Sequence, residues 1–284
     1  MTEVLRLNGA DGIKLAADAV GPEGGLPVVM LHGGGQTRGS WRNGVSALAG
    51  RGYRVFSLDT RGHGESDWDP QEDYSLDALV RDLRAALTQL PPNPALIGAS
   101  MGGITALLTL GEDDAPAVRA LVLVDVTPKL NRAGVLGMIS FMRANLGGFA
   151  TLEEAADAVS AYNPHRPRPK DISGLRRNLR EVDGRLYWHW DPAFLGHRAA
   201  EPGSAADSLS AAAQKVRVPT LLVRGRESEL VGEEEVAHFR QLMPQAGYVD
   251  VAGAGHMVAG DRNDAFNQAI IDFIERVDSA GSPR

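Results

Sequence analysis

Cysteine is absent from this chain of 284 residues. Its absence excludes disulfide bonds, thiolate zinc sites and a cysteine nucleophile. Positive charge is also in short supply, since 29 Lys and Arg stand against 36 Asp and Glu, for a formal net charge of -7. Binding to phosphate backbones needs clustered Lys and Arg. We therefore expect no redox chemistry through thiols and no nucleic acid as a partner.

Long apolar runs are missing as well. No segment approaches the ~20 apolar residues of a membrane span, and residues 1–6 lack the basic and apolar regions of a signal peptide. These features predict a soluble, cytoplasmic protein with no membrane partner. No two histidines pair with acids at ligand-like spacing, so we expect no bound metal. No sequence feature specifies an oligomeric state.

Short apolar runs alternate with longer segments of helical period, which is typical of a mostly parallel sheet covered by helices. Strands are predicted over residues 28–31, 53–58, 95–99, 121–125, 220–223 and 248–251. Residues 4–7 and 13–17 predict an antiparallel hairpin with a two-residue turn at Asp11 and Gly12. Helices are predicted over 74–90, capped by Ser75, over 101–110 and over 264–277. The predicted fold class is α/β.

The alternation breaks between residues 127 and 214, where helical patterns surround a stretch rich in Pro and Arg. We interpret 127–214 as an inserted helical lid. The segments 1–126 and 215–284 then form the two parts of one core domain. The basic stretch, residues 163–170, is interpreted as a solvated surface, because charge runs usually face water.

Aromatic residues make up only 6% of the chain, yet Tyr187, Trp188 and Trp190 lie together in the predicted lid. Clustered aromatic side chains are typical of the walls of ligand pockets. Packing inside the lid is an equally good explanation. We expect these three residues to form the roof of a substrate pocket.

Ser100 lies in the sequence Gly98-Ala99-Ser100-Met101-Gly102-Gly103, between an apolar strand and a helix. In that context the pattern Gly-x-Ser-x-Gly predicts a nucleophile elbow, a strained turn that needs small neighbours. The alternative is a glycine-rich turn with an incidental serine. A base and an acid elsewhere in the chain favour the first interpretation.

A serine hydroxyl needs a general base, and the base needs a group that orients it. In this architecture the order along the chain is serine, acid, histidine. Only His238 and His256 lie far enough downstream. His238 falls in a mostly charged helix, whereas His256 follows a predicted strand in a glycine-rich loop. We therefore predict His256 as the base.

The acid is expected just after the strand that precedes the histidine strand, and Glu229 is our first choice there. A solvent-facing loop carboxylate is the alternative interpretation of Glu229. Asp125, which ends the strand after the elbow helix, is the alternative acid.

Negative charge that develops on a substrate oxygen needs preorganised N–H donors. The amide of Met101, at the start of the elbow helix, is one expected donor. Gly34, in the run His32-Gly33-Gly34-Gly35, is the other, because glycine lets the main chain turn its N–H inward. His32 is interpreted as a loop-orienting residue and not as a second base.

Four ordered motifs together resemble the lid-bearing α/β-hydrolase family, which includes esterases, meta-cleavage-product hydrolases, cofactor-free haloperoxidases and epoxide hydrolases. The motifs are the glycine run 32–35, residues 59–66, the elbow at Ser100 and residues 253–257. The resemblance implies an α/β-hydrolase fold, and a structural role for His63 in the second motif.

This chain departs from the pattern of that family at two positions. Epoxide hydrolases carry aspartate at the elbow where this chain has Ser100, so an alkyl-enzyme ester is not expected. Family members usually carry aspartate where this chain has Glu229, which weakens the choice of acid.

These observations predict a serine hydrolase that cleaves a carboxylic ester or related acyl compound through an acyl-enzyme and needs no cofactor. The expected partner is a small-molecule substrate with an apolar part. A carbon–carbon bond hydrolase or a perhydrolase would use the same residues. A ligand-binding receptor with negligible turnover is the alternative from another functional class.

Overall fold

The computed structural model describes residues 2–162, 168, 170–198, 205–255 and 263–281. Ten strands are found in this part of the chain, β1 to β10 in chain order. Their bounds are Glu3–Asn8, Lys14–Val20, Pro27–Leu31, Arg54–Leu58, Ala95–Ala99, Ala120–Val124, Leu179–Val182, Arg185–Trp188, Thr220–Gly225 and Gly247–Val251.

The described α-helices are labelled α1 to α9 in chain order. Their bounds are Arg42–Ala49, Leu76–Leu87, Met101–Leu110, Arg132–Ala144, Leu152–Tyr162, Phe194–Arg198, Ala206–Lys215, Glu233–Leu242 and Asn263–Gly281. Among the described residues, no helix is long and apolar enough to cross a membrane.

Eight described strands form one sheet in the order β1-β2-β4-β3-β5-β6-β9-β10. Pairing from β4 through β10 is parallel, and β2 pairs antiparallel with both β1 and β4. This arrangement confirms the predicted α/β class and the mostly parallel sheet. Strands β3, β5 and β6 are apolar throughout because helices cover both faces of the sheet.

Side chains of β3 alternate between two apolar cores. Val29 and Leu31 pack with α2, α3, α7 and α8, whereas Val28 and Met30 pack with α1 and α9. The alternation follows from the two-residue period of a strand, which sends successive side chains to opposite faces. Helices therefore pack against both faces of the sheet.

The predicted N-terminal hairpin forms, but its turn differs from the prediction. Asn8 pairs with Lys14, and a 3₁₀ turn over Ala10–Gly12 joins the strands in place of a two-residue turn. Asp11 and Gly12 both adopt positive φ angles, 56° and 83°. The pattern identified the residues that reverse the chain but not the length of the loop.

The helix predicted over 74–90 is shorter, Leu76–Leu87, and Ser75 caps it as predicted, since its side chain accepts the N–H of Ala78 at 3.2 Å. The helix predicted over 264–277 extends to Gly281.

The segment between β6 and β9 is not purely helical. It contains α4 and α5, but also the antiparallel pair β7 and β8. Its last helix, α7, packs against α3 with Leu209, Ala212 and Ala213 in the same apolar core as the sheet. The predicted lid, which ended at residue 214, therefore includes most of α7, a helix that covers the core. Below, "lid" is used only as a name for residues 131–198, the part of this segment that precedes α7.

Candidate active site

The site lies where the strand order reverses. The chain leaves β3 toward β4 on one side of the sheet and later forms β5 on the other side. The loops that follow β3 and β5 run in opposite directions and leave a crevice at the carboxyl edge of the sheet. Open α/β sheets bind their ligands in such a crevice. Here the loop after β3 meets the turn after β5, because a methyl group built on Gly33 would lie 3.4 Å from Cβ of Ser100.

Ser100 occupies a strained turn between β5 and α3, with φ 46° and ψ -114°. Positive φ is uncommon for a residue with a side chain and carries a conformational cost. Surrounding contacts hold the turn, and the N–H of Ser100 donates to the carbonyl of Val124 at 3.0 Å. This geometry matches the nucleophile elbow that the motif predicts.

Glycines around the elbow are required by close backbone contacts. A Cβ built on Gly98 would lie 2.5 Å from backbone atoms of Gly102 and Gly103. A Cβ on Gly102 would lie 2.5 Å from the carbonyl oxygen of Leu31. These distances explain why the motif needs small residues on both sides of Ser100.

We expect Gly98→Ala to lower the free energy of unfolding by about 1–3 kcal/mol, because the new methyl group overpacks rigid backbone. The matched control is Gly137→Ala in the exposed part of α4, where a Cβ meets nothing within 4 Å. Alanine favours a helix interior over glycine by about 0.5–1 kcal/mol, so the control should stabilise the protein. Urea denaturation of both variants checks the prediction, and equal changes would contradict it.

Ser100 lines a cavity of about 460 Å³ between the sheet edge and the lid. The glycine run 33–35 forms one wall. Apolar and aromatic lid side chains form much of the rest: Met138, Phe141, Met142, Val159, Tyr162, Trp188 and Trp190. Such a mixture of apolar walls and few polar groups is typical of small-molecule sites.

Two of the three aromatic residues predicted for the pocket roof line this cavity. Trp188 and Trp190 are in its wall, whereas Tyr187 is not among its lining residues. Tyr187 instead lies beside the guanidinium of Arg180, 5.3 Å from its ring centroid, and close to Gly148. Tyr187 and Trp188 are neighbours on strand β8, so their side chains point to opposite faces.

Asp125 follows β6 directly and is 1% exposed. Its backbone has a positive φ of 48°, and its carboxylate accepts the Gly225 N–H at 3.1 Å and the Ser228 hydroxyl at 2.6 Å. Ser228 in turn accepts N–H groups of the loop that follows β9. A buried and oriented carboxylate therefore lies between the strand ends of β6 and β9.

Glu229 lies in the same loop after β9, but its side chain is exposed and lines the cavity. Its carboxylate accepts the hydroxyl of Tyr162 at 3.4 Å. Burial and the negative charge of Glu229 raise the pKa of Tyr162. Glu229 therefore contacts the lid at the cavity wall.

His256 lies outside the described residues. The chain leading to it is described as far as Gly255, and this loop is tied to the loop after β9. The N–H of Glu227 donates to the carbonyl of Ala254 at 2.9 Å. The loop that carries His256 therefore begins beside the loop that contacts Asp125.

Gly34 and Met101, the predicted oxyanion donors, lie close to each other. A Cβ on Gly34 would lie 3.9 Å from Sδ of Met101, and Gly34 lines the cavity. Met101 begins α3, and the first N–H groups of a helix have no partner within the helix. Both residues therefore lie beside the turn that carries Ser100.

The glycine run is held by hydrogen bonds from Gln36 and His32. Gln36 accepts the N–H of Gly33 through Oε1 at 3.1 Å, and His32 contacts the Gly33 carbonyl through Nδ1 at 2.8 Å. His32 is completely buried, and this burial lowers its pKa. These contacts agree with the predicted loop-orienting role of His32.

His189 contacts the glycine run and was not predicted from the sequence as a functional residue. It lies between Trp188 and Trp190. Its Nδ1 accepts the N–H of Gly64 at 2.8 Å, which ties the lid to the turn after β4. The sequence does contain a signal for this role, since His189 stands between two large apolar residues. A histidine buried among such residues needs hydrogen-bond partners for its imidazole.

Burial, together with the neighbouring His32, lowers the pKa of His189 from 6.5 to about 4. The unfolded chain thus binds a proton on this residue at higher pH than the folded chain. The stability contributed by neutral His189 is complete above pH 6.5 and is lost as the pH falls toward 4.

We expect the free energy of unfolding to fall more steeply from pH 7.5 to 4.5 in the wild type than in His189→Asn. The expected difference is about 2–3 kcal/mol, since each pKa unit corresponds to about 1.4 kcal/mol. Urea denaturation at the two pH values measures it. Parallel losses in the two proteins would show that His189 is not the group responsible.

Comparisons with known proteins by sequence and by structure agree on one family. The sequence profile of the α/β-hydrolase fold matches residues 27–262. An esterase from Mycobacterium tuberculosis is 31% identical over 263 residues, which cover 88% of this chain and 82% of the esterase.

A 2-hydroxy-6-oxo-6-(2'-aminophenyl)hexa-2,4-dienoic acid hydrolase from Metapseudomonas resinovorans is 27% identical, covering 89% of this chain and 85% of the relative. Among solved structures, that of E-2-(acetamidomethylene)succinate hydrolase superimposes with a TM-score of 0.82 at 23% identity. The superposition covers 97% of this chain and all of that one. At that identity the structural similarity concerns the fold.

Proposed function

Because the chain belongs to the α/β-hydrolase family, we propose that it is a serine hydrolase that cleaves carboxylic esters or related acyl compounds through an acyl-enzyme at Ser100. The observation that carries the proposal is the strained elbow, which exposes Ser100 to the cavity at the carboxyl edge of the sheet. Relatives of similar length named as esterases and hydrolases support the same reaction class.

In the proposed reaction, His256 removes the proton from Ser100 while Oγ attacks the substrate carbonyl. The oxyanion accepts hydrogen bonds from the N–H groups of Gly34 and Met101. Collapse of the intermediate expels the alcohol, which takes the proton from His256. Water then attacks the acyl-enzyme with His256 as base, releasing the acid and restoring Ser100.

We propose Asp125 as the acid that orients His256, in preference to Glu229. Asp125 is buried and held by two hydrogen bonds, so its charge has a fixed direction. Glu229 is exposed, and water screens its carboxylate. The loop leading to His256 contacts the loop that binds Asp125, which supports this choice.

The substrate we propose is a small or medium acyl compound with an apolar part. Lid side chains such as Met142, Trp188 and Trp190 give the cavity apolar walls, and a volume of about 460 Å³ suits a compound of that size. The apolar part would lie against the lid, and the carbonyl would lie between Ser100 and the glycine run.

Carbon–carbon bond hydrolysis is a second candidate. One relative is named for a dienoic acid substrate that carries keto and hydroxyl groups but no ester. Hydrolysis of that compound cannot be ester cleavage, so the name indicates that the scaffold supports other acyl chemistry.

The proposal is tested by treating the wild-type protein with a fluorophosphonate probe and assaying p-nitrophenyl esters of two to twelve acyl carbons. We expect labelling at Ser100, found by peptide mass spectrometry, and turnover that is highest for short and medium chains. Labelling without ester turnover would favour the carbon–carbon hydrolase. Failure to label would exclude a working serine nucleophile and favour a binding protein.

A further inference from the structure

The direction of the Gly34 N–H depends on the peptide groups on both sides of this residue. In a trans peptide the C=O and N–H bonds lie in one plane and point in opposite directions. Holding the carbonyl of Gly33 therefore aims the N–H of Gly34, and holding the N–H of Gly35 fixes the next plane. Glycine has wide backbone freedom, so a run of three glycines needs such contacts to keep one geometry.

His32 and His63 supply these contacts from the core. His32 accepts the N–H of Thr60 at Nε2, 3.0 Å away, so its proton lies on Nδ1 and is donated to the Gly33 carbonyl at 2.8 Å. His63 accepts the N–H of Gly35 at Nε2, 3.1 Å away, and donates from Nδ1 to the carbonyl of Arg61 at 3.0 Å.

The third contact comes from the lid. His189 accepts the N–H of Gly64 at Nδ1, so its proton lies on Nε2, which is 3.4 Å from the carbonyl of Gly35. The ring of His189 also lies against that of His63, with centroids 5.9 Å apart. The N–H of Gly35 is thus held by His63 of the core, and its carbonyl is contacted by His189 of the lid.

The lid segment around His189 is held firmly on the core. Asp191 donates its N–H to the carbonyl of Gly62 at 2.8 Å, and its carboxylate accepts the hydroxyl of buried Tyr74 at 2.5 Å. His189 therefore reaches Gly35 from a fixed position and not from a surface side chain.

We propose that His63 and His189 are positioning residues for the oxyanion donor Gly34, so that docking of the lid at His189 is required for stabilisation of the oxyanion. This inference rests on the proposed acyl transfer at Ser100. The lid then has two roles, since the same segment supplies the apolar wall at Trp188 and Trp190 and holds the glycine run in its working geometry.

The experiment uses paired substitutions that differ only in reach. An asparagine amide ends near the position of imidazole Nδ1, whereas a glutamine amide reaches the position of Nε2. His63→Asn thus keeps a donor for Arg61 but loses Gly35, and His63→Gln restores an acceptor for Gly35. His189→Asn keeps an acceptor for Gly64 but loses Gly35, and His189→Gln restores the donor.

We expect both Asn variants to lower kcat for a p-nitrophenyl ester by about 10- to 100-fold, less than the 10²- to 10³-fold cost of losing an oxyanion donor outright. KM should stay within about twofold, and both Gln variants should recover kcat to within about fivefold of the wild type. The rate of fluorophosphonate labelling should follow kcat. The control is His238→Asn on α8, where the imidazole contacts Ser210 and does not line the cavity; it should keep kcat within about twofold.

Thermal denaturation of every variant separates loss of activity from loss of fold. Asn variants that keep wild-type kcat, or Asn and Gln variants that lose kcat equally, would overturn the positioning role. A change in KM alone would assign His63 and His189 to substrate binding. A wild-type protein that neither labels nor turns over would instead contradict the proposed function itself.

Discussion

Replacing Ser100 with alanine should lower kcat/KM for p-nitrophenyl esters by about 10⁴- to 10⁶-fold. The substitution removes the only atom that forms the acyl bond in the proposed reaction. It leaves the elbow backbone, the glycine run and the lid in place, so any residual rate would come from oxyanion stabilisation and binding. Steady-state kinetics with purified protein measures the loss, with correction for spontaneous ester hydrolysis.

The matched control for this substitution is Ser46→Ala in α1, where the serine is exposed and does not line the cavity. We expect the control to retain activity within about twofold. Ser100→Ala should also bind a hydrolysis product as well as the wild type does, since the cavity is unchanged. If Ser100→Ala hydrolyses esters at the wild-type rate, the reaction does not pass through Ser100.

The second large effect is expected at Asp125. Asp125→Asn should lower kcat by about 10³- to 10⁴-fold, because a neutral amide neither stabilises the imidazolium of His256 nor selects its productive tautomer. The substitution conserves shape, and asparagine tolerates the positive φ at this position. Its amide oxygen still accepts from Gly225 or Ser228, so the fold should be retained.

Glu229→Gln is the matched comparison for Asp125→Asn. We expect it to keep kcat within about fivefold, because the exposed Glu229 carboxylate contacts Tyr162 at the cavity wall. The pH–rate profiles of both variants should be recorded, since loss of the orienting acid also lowers the pKa of the base. A large loss in Glu229→Gln with little effect in Asp125→Asn would restore Glu229 as the acid.

The two carboxylates illustrate where the sequence was insufficient. A motif places an acid after a given strand, and Glu229 satisfies that position. Burial and hydrogen bonding separate Glu229 from Asp125, and both depend on the packing of β6 against β9, which are about 100 residues apart in the chain. The sequence identifies both residues as candidate acids, but it does not show the contacts that favour Asp125 over Glu229.

The aromatic cluster of the lid shows the same division. Composition indicated that residues 187–190 matter, but not that they form strand β8 and its end. Because a strand alternates its faces, Trp188 enters the cavity wall and Tyr187 does not. His189, between the two tryptophans, acquires a role only through Gly64 and Gly35, which lie far away in sequence.

By itself the sequence determined the α/β architecture, the elbow at Ser100 and the glycine run at Gly34, because strand periodicity and steric demands at tight turns are local properties. Tertiary structure alone decided how these pieces meet. The strand order brings the ends of β3 and β5 together, burial distinguishes Asp125 from Glu229, and the docked lid delivers His189 to the glycine run. Such contacts depend on chain segments that no local pattern relates.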